Sequence, residues 1–296
     1  MKQRNLNRRD FLKRGTLAAS AALFMKFPRP LFSQTDQKTK VVLIRNSNVL
    51  NSSNKVNAEV IQSMLDEAVK VLFDQKEAAQ AWKKIISPND VVGIKTNRWS
   101  YLPTPRELEN AIKKRVQEAG VAEEKISVND QGVLDDPVFK RATALINTRP
   151  MRTHYWSGVG SLLKNYIMFA DEPSDYHDDS CADLAALWKL SNIKGKTRLN
   201  VLVMLTPLFH SVGAHGFSPN YVWQYKGIIV GTDPVACDAV GLKIIEAKRK
   251  EFFGEEKPLN PPAKHIELAD TRHHLGTADM KKINLIKIGM KEGILI

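Results

Sequence analysis

The 296-residue chain has only two cysteines, Cys181 and Cys237. No Cys-x-x-Cys pair and no ferredoxin-like cysteine run occurs, so no iron–sulfur cluster held by this chain is expected. The two thiols fit either one disulfide or two free cysteines. The common nucleotide and hydrolase motifs are also missing. There is no Gly-x-Gly-x-x-Gly and no Gly-x-x-x-x-Gly-Lys-Ser/Thr, no Gly-x-Ser-x-Gly elbow and no His-Glu-x-x-His. Dinucleotide oxidoreductase, P-loop NTPase, α/β-hydrolase and zincin readings therefore have no motif behind them. Long apolar runs are absent too. The weakly apolar stretch from Gly15 to Met25 falls well short of the about 20 residues a membrane-crossing helix needs, so no stable transmembrane span is expected.

What remains is the composition of a folded protein, 43% hydrophobic and 26% charged, with no low-complexity stretch beyond residue 40. The net charge of +12 first suggests nucleic-acid binding. Residues 1–33 carry eight Lys or Arg against Asp10 alone, so +7 of that total sits in the leader and only +5 in the rest. No nucleic-acid partner is expected of such a mildly basic body.

The leader contains Arg8-Arg9-Asp10-Phe11-Leu12-Lys13 ahead of the weakly apolar tract. This resembles the twin-arginine export signal of bacteria. The resemblance implies residues 1–33 as a signal peptide, 34–39 as a linker and 40–296 as one α/β domain. It also implies the twin-arginine translocase as a partner and a periplasmic or otherwise exported location. Cargo of that route crosses folded, often with a cofactor already bound.

Along the body, short β-branched runs alternate with amphipathic ones. Strands are expected at 40–46, 90–97, 125–130, 144–148, 199–205, 227–231 and 283–289, with helices at 57–73, 104–120, 158–169, 180–190 and 232–249. Thr104, Pro105 and Glu107 spell a capping box at one helix start, and Gly120 its end. The alternation predicts a single α/β domain, a mostly parallel sheet with helices on both faces. In such sheets ligands bind beyond the carboxyl ends of the strands. The polar residues that matter should sit at those ends.

Lys95 and Asn97 close one strand and share its face. The stretch Arg149-Pro-Met-Arg152-Thr-His154-Tyr-Trp-Ser-Gly158-Val-Gly160, followed by Lys164 and Asn165, surrounds a strand end with cations. The arginines can clamp an anion, a lysine can meet one as a point charge, and His154 is the candidate acid/base of any reaction, because an imidazole titrates near neutrality. Asp233 precedes Pro234 as a helix cap, and Asp238 follows in the first turns. His210 and His215, five apart in a glycine-containing loop, could bring two imidazoles to a divalent metal, although the spacing matches no strong metal motif. The Asp175–Cys181 stretch reads as a polar loop ending in a helix cap.

Taken in order, Gly93-Ile-Lys95-Thr-Asn97, the 104–121 helix with Ile126–Asp130, the Ile146–Asn165 stretch and Tyr225–Gly241 resemble the domain-of-unknown-function 362 family of prokaryotic α/β proteins. The similarity covers about residues 40 to 250 and is strongest from His154 to Asn165 and from Asp233 to Asp238. Several relatives carry ferredoxin-like cysteine clusters, which this chain lacks. Relatives typically have lysine where this chain has Arg152. The resemblance implies a fold and a shared site but no established reaction. The leading expectation is an exported protein with a basic, His-containing pocket for a small anionic ligand. Lys95, Asn97, Arg152, Lys164, Asn165, Asp233 and Asp238 would bind it and His154 would catalyse any reaction. The alternative is a metal- or redox-associated accessory protein using His and Asp ligands. A third is an interaction module whose basic loop docks an acidic partner.

Overall fold

Strands that are buried on both faces must be apolar on both, and the runs around Val41–Ile44, Leu199–Leu205 and Ile228–Val230 are. In the computed structural model, which describes residues 38–211 and 216–296, these runs form the middle of an eight-stranded mixed sheet. The leader at 1–33 and His215 lie outside the described residues. Strands β1 (Thr39–Arg45), β2 (Val92–Lys95), β3 (Ile126–Asn129), β4 (Ala144–His154), β6 (Thr197–Leu208), β7 (Gly227–Gly231) and β8 (Ile283–Gly289) lie in the order β3-β2-β4-β6-β7-β1-β8, and β5 (Gly158–Gly160) pairs with the end of β4. Pairings β2–β3, β2–β4, β4–β6 and β1–β8 are parallel; β1–β7, β6–β7 and β4–β5 are antiparallel. Every strand except β5 and β7 therefore ends on the same edge of the sheet.

Alternation along each strand divides the core in two. Val42, Ile94, Ile146, Val201 and Val230 face a layer made by α1 (Ala58–Leu72), α2 (Ala78–Trp82) and α3 (Arg106–Glu118). Leu43, Leu145, Leu202 and Ile229 face the other layer, built around α4 (Pro137–Lys140), α5 (Leu162–Asn165), α6 (Pro234–Phe253) and α7 (Lys264–Thr271). A one-residue slip in any central strand would exchange the two sets. The α/β expectation, with helices on both faces, holds.

Local corrections are informative. The helix expected over 158–169 is a short strand, one turn of α-helix and a 3-10 turn. Gly158 and Gly160 favour no helix, and Gly158, at φ +70° and with Pro261 and Ala263 backbone against it, lets the chain fold back on β4. The helix expected from Ser180 is absent: Asp179, Ser180 and Cys181 are all left-handed, at φ +49°, +59° and +62°, and a 3-10 helix follows at Leu184–Lys189. The capping box at Thr104 does not form. Its hydroxyl accepts from the Asn97 N–H at 3.1 Å instead, tying the helix entrance to the end of β2, and Pro105 occupies the cap. The Asp233 cap does form, with Val235 and Ala236 N–H groups at 2.8 and 3.0 Å. Cys181 and Cys237 are both buried free thiols.

Candidate functional site

β4 runs six residues past its expected end, which carries Arg149, Arg152 and His154 beyond the neighbouring strand β2. The asparagines behind them lock the geometry. Asn165 on α5 donates to the Asn147 amide oxygen at 2.8 Å, to the Thr148 carbonyl at 3.1 Å and to the Lys95 carbonyl at 3.3 Å. Asn147 in turn donates to the Leu162 carbonyl at 3.1 Å. Asp238, from the first turns of α6, accepts from the Ser161 hydroxyl at 2.6 Å and from the Leu162 and Leu163 N–H groups at 3.0 and 2.9 Å. The short helix that presents Lys164 is thus pinned from both sides by buried polar groups whose bonding is complete.

The cations themselves are buried, and each is perturbed for a physical reason. Lys95 is fully buried; its ammonium donates to Asp130 at 2.5 Å and to the Thr96 carbonyl at 2.8 Å. Burial, reinforced by Arg149, pushes it down to about 8 against the pull of Asp130. Burial pushes the Asp130 carboxyl up, but bonded Lys95, the Arg98 N–H at 2.7 Å and nearby Arg149 together hold it below its usual value. Arg149 is 4% exposed, its Nε finds no hydrogen-bond partner, and burial lowers it to about 10. A β-carbon at Gly160 would come within 2.5 Å of the Arg149 Nη2 and push the guanidinium from its place.

Arg152 donates to the Asn97 amide oxygen at 2.9 Å and lies over the Trp99 ring at 4.4 Å, its pKa lowered by burial and by Arg149. Lys164 is 3% exposed and donates to the Cys181 sulfur at 3.5 Å. Burial, with Arg149 and Arg152 adding to it, pushes Lys164 down to about 8. Burial raises the Cys181 thiol despite Lys164. The strained left-handed run Asp179–Cys181 is what brings that sulfur to the lysine. Burial brings the Asp238 carboxyl up to about 7, against its three donors and Arg149.

His154 is driven far below its ordinary range, by burial first and then by Lys164, Arg149, Arg152 and His177. It is a neutral ring at neutral pH. Its Nδ1 accepts from the Trp156 N–H at 3.2 Å, which assigns the proton to Nε2. The Trp156 ring stacks on His177 at 4.2 Å.

A cleft of about 440 Å³ opens where these groups meet; Asn97, Asp130, Arg149, His154, Lys164 and Asn165 line it, with Trp99 and Trp156 as walls. Lys95 and Arg152 stand one layer back, through Asp130, Asn165 and Asn97. Asp238 faces Arg149 from α6. Asp233 does not join them: β7 runs against its neighbours, so the cap following it stands at the other edge, where Asp233 also accepts from the Thr277 N–H at 2.9 Å. His210 sits in an aromatic cluster with Tyr221 and Phe253, with its Nδ1 2.9 Å from the Arg249 guanidinium. Among the described residues, no group of three or more His, Cys, Asp or Glu is placed to hold a metal ion.

The sequence marks Asp130 only as a strand end, and Arg149 as one half of an anion clamp. It does not show that one carboxylate answers several cations. Trp99 and His177 have no spacing signal. Neither does His265, fully buried on α7, with no partner for either ring nitrogen and lowered to about 3 by burial, Lys164 and Arg149. Replacing two unbonded buried nitrogens with hydrocarbon of similar volume removes their desolvation cost. His265→Leu is therefore expected to raise stability by about 1–2 kcal/mol, read as a higher midpoint in urea; a lower midpoint would show that the ring does work in the folded protein.

Residues 110–243 match the model of DUF362, a domain of unknown function. The matched DUF362 segment is a little under half of the chain. It contains Asp130, Arg149, Arg152, His154, Lys164, Asn165 and Asp238, while Lys95 and Asn97 precede it. The DUF362 match agrees with the family resemblance read from the motifs. No curated protein and no solved structure matches the chain.

Proposed function

We propose that the protein binds a small anion carrying two or more negative charges in the cleft at the carboxyl ends of β2 and β4. The observation that carries this reading is a charge imbalance under burial: Lys95, Arg149, Arg152 and Lys164 are all buried, and the carboxylates among them are Asp130 and Asp238. Buried charge without a partner is costly. A site that keeps such an excess is organised for an anion to complete it. Arg149 and Lys164 reach the ligand; Lys95 and Arg152 set the field from behind. Burial is the larger cause of the neutral state of His154, and an anion would offset only the part that comes from the neighbouring cations. The neutral imidazole stands in the wall of the cleft beside the bound ligand.

The export reading belongs to the same proposal and is supported by the Arg8-Arg9 leader. No helix among the described residues is long and apolar enough to cross a membrane.

Calorimetric titration with inorganic phosphate, sulfate and succinate tests the site, with chloride as the control. Saturable binding of one dianion per chain is expected. Its pH dependence has a definite sign. Below about 7, Asp238 takes up a proton and no longer competes for Arg149; above about 8, Lys95 and Lys164 lose theirs. Both changes act in one direction, so affinity for sulfate, whose own charge stays constant, falls continuously from pH 6 to 9. The steepest fall comes above 8, approaching tenfold per pH unit for each lysine that must be charged. No saturable binding at pH 6, or affinity that rises with pH, would overturn the reading.

A further inference from the structure

Lys164 differs from the other buried cations in what it touches. Lys95 is answered by Asp130 and the Thr96 carbonyl and stands behind the cleft. Arg152 has the Asn97 amide oxygen and the face of Trp99. Lys164 lines the cleft itself. Its amine donates to the Cys181 sulfur at 3.5 Å, a weak acceptor, and among the described residues no carboxylate pairs with it. The charged and titratable groups that face it are Arg149, Arg152 and His154 from β4, His177 and Cys181 from the segment opposite, and His265 from α7. The two arginines disfavour a proton on the nitrogen, and Cys181, itself kept a thiol by burial, pulls the other way.

An amine that is desolvated beside cations and lacks a counter-ion is the arrangement that makes a lysine nucleophilic. At about 8, about a tenth of it is unprotonated at pH 7, against roughly one part in 3000 for a lysine at its ordinary value. Its carrier is fixed as well. The hydrogen bonds of Asn165 and Asp238 hold both ends of α5, so the amine is kept in the cleft wall. Arg149 stands in the same wall, and a cleft of about 440 Å³ suits one small ligand. A ligand whose anionic group meets Arg149 therefore brings its neighbouring carbon to the amine.

We infer that Lys164 forms a Schiff base with the bound ligand, which is a dianion carrying an aldehyde or ketone: an oxo dicarboxylate or a phosphorylated carbonyl compound in chemical class. This rests on the anion-site reading above and narrows it. In the step, the ammonium first gives up a proton and the free amine attacks the carbonyl carbon. The N–C bond forms as the C=O pair moves onto oxygen. That oxygen then leaves as water with two of the three ammonium protons. The third stays on the iminium nitrogen, so atoms and charge balance and no oxidant or reductant is needed.

The test is trapping of the full chain with 2-oxoglutarate and with dihydroxyacetone phosphate in the presence of sodium borohydride. Borohydride delivers hydride to the iminium carbon and fixes the link as a secondary amine. Intact mass should show one adduct per chain with at least one of the two probes, and peptide mapping should place it on Lys164. Labelling there should exceed that of any other lysine by at least about 10-fold, as the lowered pKa allows, and excess sulfate should suppress it. Lys164→Met should give no adduct; if that variant fails to fold, mapping of the parent still decides. Sulfate that binds while neither probe gives an adduct overturns this inference and leaves the anion site standing. So does labelling spread over other lysines or unaffected by sulfate. If neither sulfate nor the probes bind at all, the anion site itself fails.

Discussion

Arg149→Met is expected to weaken dianion binding by about 100-fold or more, the scale of losing a buried charge-assisted contact, and at the same time to make the empty protein more stable. The two effects have one cause. The guanidinium is buried among Lys95, Arg152 and Lys164, and its Nε has no partner. Without a ligand, desolvation and repulsion outweigh the attraction of Asp130 and Asp238, since the guanidinium is lowered on balance, and methionine, of comparable length and without charge, removes the net cost. The expected gain is about 1–3 kcal/mol in urea unfolding, and dianion titration should show the loss. A residue whose removal stabilises the fold and abolishes binding is held there for the ligand. If Arg149→Met left phosphate affinity unchanged, the guanidinium would have no part in binding. If the variant were instead less stable, Arg149 would be a structural residue and not a cation held in place for a ligand.

Asp130→Ala is expected to be the most destabilising of the substitutions considered, by about 3–5 kcal/mol near neutral pH. Lys95 would be left fully buried with its counter-charge gone, and the Arg98 N–H would lose its acceptor. The pH dependence distinguishes this cause from a simple cavity. In the parent, Lys95 is already lowered to about 8, below its unfolded value. Without Asp130 it falls further, so the variant's folded state sheds the proton at a lower pH than the parent's. Between those two values the parent's folded state holds more protons, and the variant's deficit must narrow as pH rises toward about 8. Adding Lys95→Met to Asp130→Ala should recover much of the loss, because the pair removed together leaves no unpaired charge. A deficit independent of pH, or a double variant worse than the single, would contradict the pairing.

The site was legible in the sequence to an uneven degree. Lys95, Asn97, Arg152, His154, Lys164 and Asn165 could be picked because strand ends of a parallel sheet share an edge, and the chain places these residues at such ends. Asp238 followed from being more than a cap needs. Asp233 misleads for a topological reason. It also follows a strand, but β7 is antiparallel to its neighbours, and alternating β and α runs look the same whichever way a strand points. The length of β4 was equally hidden. Its final residues alternate cations with Pro150, Met151 and Thr153, a pattern that reads as loop until β5 returns to pair with them. Thr104 shows the same limit on a smaller scale: its local signal is a helix cap, and a tertiary bond to Asn97 overrides it.

The sequence by itself determined the α/β architecture, because the hydrophobic period of each segment sets whether it is strand or helix and which faces must be covered. It also determined the chemistry at hand, a surplus of cations and one imidazole at the strand ends. Only the tertiary structure decided that those cations are buried together around Asp130 and Asp238, and that His154 is neutral among them. Burial and charge coupling arise between residues far apart in the chain, such as Lys95 with Asn165 and Arg149 with Asp238. A local pattern carries no record of them, because their energies depend on distance in space and on exclusion of water.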